Sequence, residues 1–270
     1  MSRPPGLPHL ETLRVSHNVI LAASLCHLSP GSRLTSLDLS STNLTRLAWR
    51  LPDCGCAEAS QPASLPLLTS LNISGNYLDL ADLRLRDVLP SLTTVNLGQL
   101  NTTAVGEEET AGLPLSLAEL EFSNMPALQD FRPGALSLFR GLERLVVTGN
   151  KGVRWLPPGL LPQSDGPLTV NLSSNGLTWL DPSSLPWPRV SLLDLTDNPL
   201  HCDCELSWLT EFSTLTGAVC ASPPALADVN MEDINISKMS CALLRPAQIS
   251  VLSLVLVLVS LLLGCVSFGK

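Results

Sequence analysis

The residues with the most chemistry to offer are eight cysteines, Cys26, Cys54, Cys56, Cys202, Cys204, Cys220, Cys241 and Cys265. Three chemistries use them: metal ligation, nucleophilic catalysis and disulfide formation. A structural zinc site needs two closely spaced ligand pairs. Cys54-Gly55-Cys56 supplies one pair and no second, and His201 beside Cys202 and Cys204 makes an incomplete set. A cysteine or serine nucleophile needs a base, but His9, His17, His27 and His201 accompany no nucleophile motif. There is no G-x-S-x-G, phosphate loop or dinucleotide fingerprint. The run Glu107-Glu108-Glu109 reads as a solvated return loop rather than a cation site. We therefore expect no enzyme, no metal and no cofactor, and read the cysteines as disulfide partners.

Disulfides imply an oxidising compartment, and a second set of residues points the same way. Asn43, Asn72, Asn101, Asn171 and Asn235 each open an Asn-x-Ser/Thr acceptor triplet for N-glycosylation. The stretch 249–268 carries no charge over 20 residues. A helix of that length spans about 30 Å, the thickness of a bilayer core. The glycosylation triplets place the long N-terminal part outside the cell, because Arg245 and Lys270 flank the run one on each side and leave orientation undecided. The expectation is a single-pass type I plasma-membrane protein with residues 269–270 as its cytoplasmic remnant. A GPI signal is the alternative, with Ser240, Cys241 and Ala242 as the small-residue triplet. The net charge of −8 argues against nucleic acid as a partner.

The elements that must position these groups are legible in the leucines, 58 of 270 residues. The pattern LxxLxLxxNxL starts at Leu10, Leu34, Leu68, Leu92, Leu117, Leu142, Pro167 and Val190, and most copies are 23 to 25 residues apart. One step, from Leu34 to Leu68, carries an insertion of about ten residues that holds Cys54 and Cys56. The Asn position is Asn at 18, 76, 150, 175 and 198, and Thr42, Leu100 and Met125 elsewhere. Each copy makes one short strand with its leucines inward. No copy buries its face alone, so stacking of neighbours supplies the core. The Asn side chain satisfies backbone groups at the turn that leaves the strand. Cys26, Cys54 and Cys56 fall on adjacent copies and are read as disulfide candidates, one of the three being left over.

This repeat resembles the extracellular leucine-rich repeat family. The resemblance implies an α/β solenoid, a horseshoe with short parallel strands on its concave face and irregular or 3-10 return segments. After the last copy, Asn198-Pro-Leu-His-Cys202-Asp-Cys204, then Trp208, Cys220 and Cys241, is similar to the cysteine-rich C-terminal cap of Slit and Toll-like receptor ectodomains. Spacing alone allows three pairings of these four cysteines. The resemblance implies Cys202–Cys220 and Cys204–Cys241. The expected organisation is repeats at 1–197, cap at 198–245 and membrane helix at 249–268. Leu10 opens the first copy with neither a cysteine-rich N-terminal cap nor a signal peptide before it, so we expect the chain to be the C-terminal part of a longer protein.

In such a horseshoe the strand residue between the second and third template leucines faces outward. That column reads Arg14, Asp38, Asn72, Asn96, Glu121, Val146, Asn171 and Asp194. Glycans on Asn72 and Asn171 would cover their part of the sheet and leave a window at Thr94, Asn96, Glu119, Glu121, Arg144 and Val146. The ligand-binding candidates are Asn96, Glu119, Glu121 and Arg144. The function expected is non-catalytic recognition or adhesion at the cell surface. It binds a protein ligand, without a signalling domain of its own, and acts as a homodimer or beside a receptor partner. A co-receptor or decoy for a secreted or microbial ligand is the alternative, and a secreted matrix protein the third reading.

Overall fold

The computed structural model describes residues 9–28, 33–48, 65–164, 166–235 and 239. In chain order the strands are β1 (Thr12–Arg14), β2 (Ala22–Ser24), β3 (Ser36–Asp38), β4 (Arg46–Ala48), β5 (Ser70–Asn72), β6 (Thr94–Asn96), β7 (Ala104–Val105) and β8 (Glu119–Ser123). They continue with β9 (Asp130–Phe131), β10 (Arg144–Thr148), β11 (Leu168–Asn171), β12 (Val190–Asp194), β13 (Leu200–His201), β14 (Leu215–Thr216) and β15 (Cys220–Ser222). Nine of them form one parallel sheet in the order β1-β3-β5-β6-β8-β10-β11-β12-β14. Eight are the template copies, and β14 comes from the cap.

Register explains why the core is continuous. Leu37 pairs with Leu71, Leu71 with Val95, Val95 with Leu120 and Leu120 with Leu145, so each inward residue stacks on the same position of the next strand. The 34-residue step between β3 and β5 keeps this register, which means the insertion leaves the ladder undisturbed. These side chains are buried on every interior strand. Leu13, on the outer strand β1, is only half-buried, and Val19 and Leu21 beside it are 77% and 63% exposed.

Every repeat turns away from the sheet in the same manner. The residue before the Asn position has a left-handed backbone in all eight copies: His17, Ser41, Gly75, Gln99, Asn124, Gly149, Ser174 and Asp197, with φ between 52° and 70°. Left-handed non-glycine residues are uncommon because Cβ crowds the following carbonyl. In the copies that have it, the Asn that follows fixes the turn. Asn76 Oδ1 accepts from the Thr42 and Leu44 backbone N–H groups at 3.0 and 2.9 Å. Its Nδ2 donates to the carbonyls of Leu39 and Ile73 at 2.8 and 2.9 Å. Asn150, Asn175 and Asn198 do the same three, four and five repeats on. The Asn thus bonds its own turn and also the preceding repeat, a longer reach than the sequence suggests.

The return segments correct the α/β description. Among the described residues the single α-helix is the four-residue α1 (Glu107–Thr110), and the other helical turns are 3-10. The solenoid is therefore a β-solenoid. Short return paths leave no room for a helix, and prolines interrupt them. The return side instead carries three two-stranded parallel sheets, β2-β4, β7-β9 and β13-β15. The Glu107-Glu108-Glu109 run forms α1 rather than a loop, with the Glu109 carboxylate accepting from Gly106 N–H at 2.7 Å.

The cap closes the last repeat by extending the sheet. Leu215 on β14 pairs with Leu193 on β12, covering the final leucine ladder. Cys202 and Cys220 are joined by a disulfide with Cα atoms 5.6 Å apart. Trp208 packs against Trp187 with ring centroids 4.7 Å apart and planes tilted by 58°, and Phe212 packs edge-on to both. Among the described residues no helix is long and apolar enough to cross a membrane, and the run 249–268 lies outside them.

Candidate interaction surface

The outward face of the main sheet is where the repeats present side chains free of the core. Its column of acidic and amide residues is mostly occupied with local work. Asp38 Oδ1 accepts from the backbone N–H and hydroxyl of Ser40 at 3.0 and 2.7 Å. Asn72 does the same with Ser74 at 3.1 and 2.8 Å, and Asp194 with Thr196 at 3.0 and 2.6 Å. Asn96 and Asn171 accept from the backbone N–H groups of Gly98 and Ser173, both at 2.9 Å. An Asp or Asn that bonds two residues ahead fixes the end of its own strand. The sequence reading missed this role. The signal was there as Asp/Asn-x-Ser/Thr/Gly at one template position in five copies.

Three strands depart from the rule: the outer strand β1, with Arg14, and two adjacent interior strands. Repeat five has Glu121 in this column and repeat six has Val146, neither of which closes such a turn. Around them the structure assembles the predicted window. Thr94, Glu119 and Arg144 lie side by side on β6, β8 and β10, as do Asn96, Glu121 and Val146. Asn96 Nδ2 donates to Glu121 Oε2 at 2.8 Å, tying the two central strands together. Glu119 and Arg144 are exposed neighbours of opposite charge, without an ion pair between them.

Asn72 and Asn171 border this window directly. Asn72 is the register partner of Asn96, and Asn171 that of Val146. Four strand steps of about 4.8 Å separate them, roughly 19 Å in all. Both are half-buried, with Oδ1 committed to the turn and Nδ2 uncommitted. Asn43, Asn101 and Asn235 are exposed and lie off this face.

Of the cysteines, Cys204 is disulfide-bonded, while Cys54, Cys56, Cys241 and Cys265 lie outside the described residues. For Cys26 only the backbone is described. His201 Nδ1 lies 2.7 Å from the Ser222 hydroxyl, and Nε2 lies 3.8 Å from Asp203. Both contacts lie within the cap. His17 is one of the left-handed turn residues.

A parallel sheet of stacked leucine strands, turned by a shared asparagine and closed by a disulfide cap, settles the architecture. It is a leucine-rich repeat solenoid. Comparison with known proteins agrees. The CD180 antigen of Mus musculus is 25% identical over 250 residues, a match covering 86% of this chain and 35% of that protein. The chain thus spans about a third of that relative. The crystal structure of human 5T4 (Wnt-activated inhibitory factor 1, trophoblast glycoprotein) superposes with a TM-score of 0.60 at 20% identity, covering 87% of this chain and 89% of that one. The mouse RP105/MD-1 complex gives 0.64 at 22% identity, over 88% of this chain and 39% of that one. No family model matches the chain.

Proposed function

We propose that this leucine-rich repeat chain is a non-catalytic cell-surface recognition protein that binds a protein ligand through the concave window of repeats four to six. The observation that carries the reading is the break in the outward column. Elsewhere the column's carboxylates and amides are held by their own turns. At Glu119, Glu121, Arg144 and Val146 the sheet instead presents charged and apolar groups that serve no strand end. Polar side chains on a rigid sheet, around an apolar spot, suit a protein interface with both charges used for register. Asn96 belongs to the site by holding Glu121.

In this reading Asn43, Asn72, Asn101, Asn171 and Asn235 carry glycans, and those on Asn72 and Asn171 limit the footprint. Cys204 pairs with Cys241, and 249–268 anchors the chain as a single-pass type I protein, or is exchanged for a GPI anchor. That a protein of the same fold, RP105, was crystallised with MD-1 supports a protein as the ligand class. A homodimer or a co-receptor pairing fits the same surface.

The test is to display the full-length chain on cells and probe it with an array of extracellular proteins. Any protein that binds should lose at least tenfold in affinity on Glu121→Lys or Arg144→Glu. Retention of all such binding in both variants, or a chain that antibodies reach only after permeabilisation, refutes the reading.

A further inference from the structure

A second surface lies on the flank where the chain leaves the sheet at repeats six to eight. We infer that this flank is a separate binding site for a short acidic peptide segment of a partner protein. A recess of about 600 Å³ opens there, bordered by Lys151, Arg154, Gly176, Thr178, Asp197 and Pro199. Gly176 is required at that point, because any Cβ would strike the Lys151 carbonyl oxygen.

The backbone places three polar side chains in a row. Thr178 N–H donates to the Arg154 carbonyl at 3.2 Å, and His201 N–H to the Thr178 carbonyl at 2.8 Å. Arg154, Thr178 and His201 therefore occupy the same position on consecutive rungs. Lys151 Nζ reaches the carbonyl oxygens of Asn175 and Asp197, both at the long distance of 3.4 Å. The Arg154 guanidinium is exposed and makes no hydrogen bond or ion pair among the described residues. Immediately after Arg154 and Thr178 come Trp155 and Trp179, which are 39% and 37% exposed. Two part-exposed indoles at matching positions, each next in sequence to a residue of the recess lining, are of a type that anchors protein interfaces.

Charge selects the occupant. Arg offers a planar fork that matches a carboxylate in two parallel bonds. Lys151 supplies a second cation in a chain with only three lysines. A long sulfated polyanion would have to run across Asp197 and Asp203 and against the net charge of −8. A short segment with one or two carboxylates can pair with Arg154 and Lys151 without crossing that length of acidic surface, Asp197 being the one carboxylate in the recess lining. The recess volume fits a few such side chains.

This inference stands apart from the concave window, and one experiment separates them. Full-length protein in detergent micelles is titrated with labelled octapeptide pools that hold two fixed Glu flanking a Leu or Phe, and with matched pools carrying Gln for Glu. The acidic pools should bind at least tenfold tighter than the Gln pools. Arg154→Gln with Lys151→Gln should remove that preference, while Glu121→Lys in the window leaves it unchanged. Arg154→Gln removes no bond of the fold, so its effect reports on binding. Equal affinity of acidic and Gln pools overturns the inference. So does undiminished binding by the Arg154→Gln, Lys151→Gln variant, or tighter binding of a sulfated oligosaccharide than of any acidic pool.

Discussion

The asparagine ladder makes a sharp energetic prediction at Asn175. Its side chain is fully buried and links two repeats. Oδ1 accepts the Asn150 N–H at 2.9 Å, and Nδ2 donates to the carbonyls of Val147 and Leu172 at 2.6 and 2.7 Å. Asn175→Leu keeps the volume and removes all three bonds. The Leu172 carbonyl keeps a partner, because Asn198 Nδ2 donates to it at 2.8 Å. The Asn150 N–H and the Val147 carbonyl lose the amide where water cannot replace it. Each unsatisfied buried group costs about 1–3 kcal/mol, so the gross loss is about 2–6 kcal/mol. Burying a leucine in place of the amide returns up to about 2 kcal/mol. Taking the middle of each range, about 4 kcal/mol lost and about 1 returned, the expected net destabilisation is about 3 kcal/mol, read from urea unfolding against Ser174→Ala as a neighbouring control. Hydrogen exchange gives the local readout, since the Asn150 amide should lose its protection. A change below about 1 kcal/mol with Asn150 still protected would refute the cross-repeat account.

Two further expectations follow from the turns. Asn72→Asp keeps the Oδ1 acceptor that Ser74 uses, as Asp38 and Asp194 already do at this position. Stability by thermal melting should shift by no more than about 0.5 kcal/mol, while a glycoprotein purified from membranes should lose the mass of one N-glycan. Gly149 sits at the left-handed turn with φ +70°, and a Cβ there would run into the Asn124 side chain. Gly149→Val should cost about 2 kcal/mol or more from backbone strain alone, whereas Gln99→Gly, at the same turn position, should be neutral or stabilising in the same melt.

Much of the solenoid is visible in the sequence because leucine placement is the fold. Eight copies at near-constant spacing fix strand position and register, and the strands fall where the template puts them. The left-handed turn was not legible, because His17, Ser41, Gly75, Gln99, Asn124, Gly149, Ser174 and Asp197 share no side-chain chemistry. What they share is their place in the repeat; an Asn follows five of them, and at Asn76, Asn150, Asn175 and Asn198 it bonds the repeat before. The small sheets of the return side were equally hidden. Pairs such as Ala104–Val105 with Asp130–Phe131 are too short to show a period, and only stacking brings them together. Individual side chains of the window could be named from the template, but their freedom could not. The sequence lists Asp38, Asn72 and Glu121 as one column, and only the hydrogen bonds separate the turn-fixing members from Glu121.

That separation changes how the Asn-x-Ser triplets at Asn72 and Asn171 are to be understood. In this fold the tripeptide has a structural cause, since Asn or Asp followed two residues later by Ser, Thr or Gly ends a strand. A triplet on this column is therefore weaker testimony for a glycan than the exposed triplets at Asn43 and Asn101, which lie outside it. The two roles are nonetheless compatible in atoms. The turn uses Oδ1 and leaves Nδ2, the atom to which a glycan is attached, facing out from the sheet. If both sites are occupied, the open strip is the three strands β6, β8 and β10, and its two ends are set by the residues that also end the strands. If neither is, the same polar column extends from β3 to β12, and Leu192, 42% exposed at its far end, joins the accessible surface. Binding measured with and without enzymatic deglycosylation then distinguishes a footprint limited by sugar from one limited by the side chains of Glu119, Glu121 and Arg144 alone.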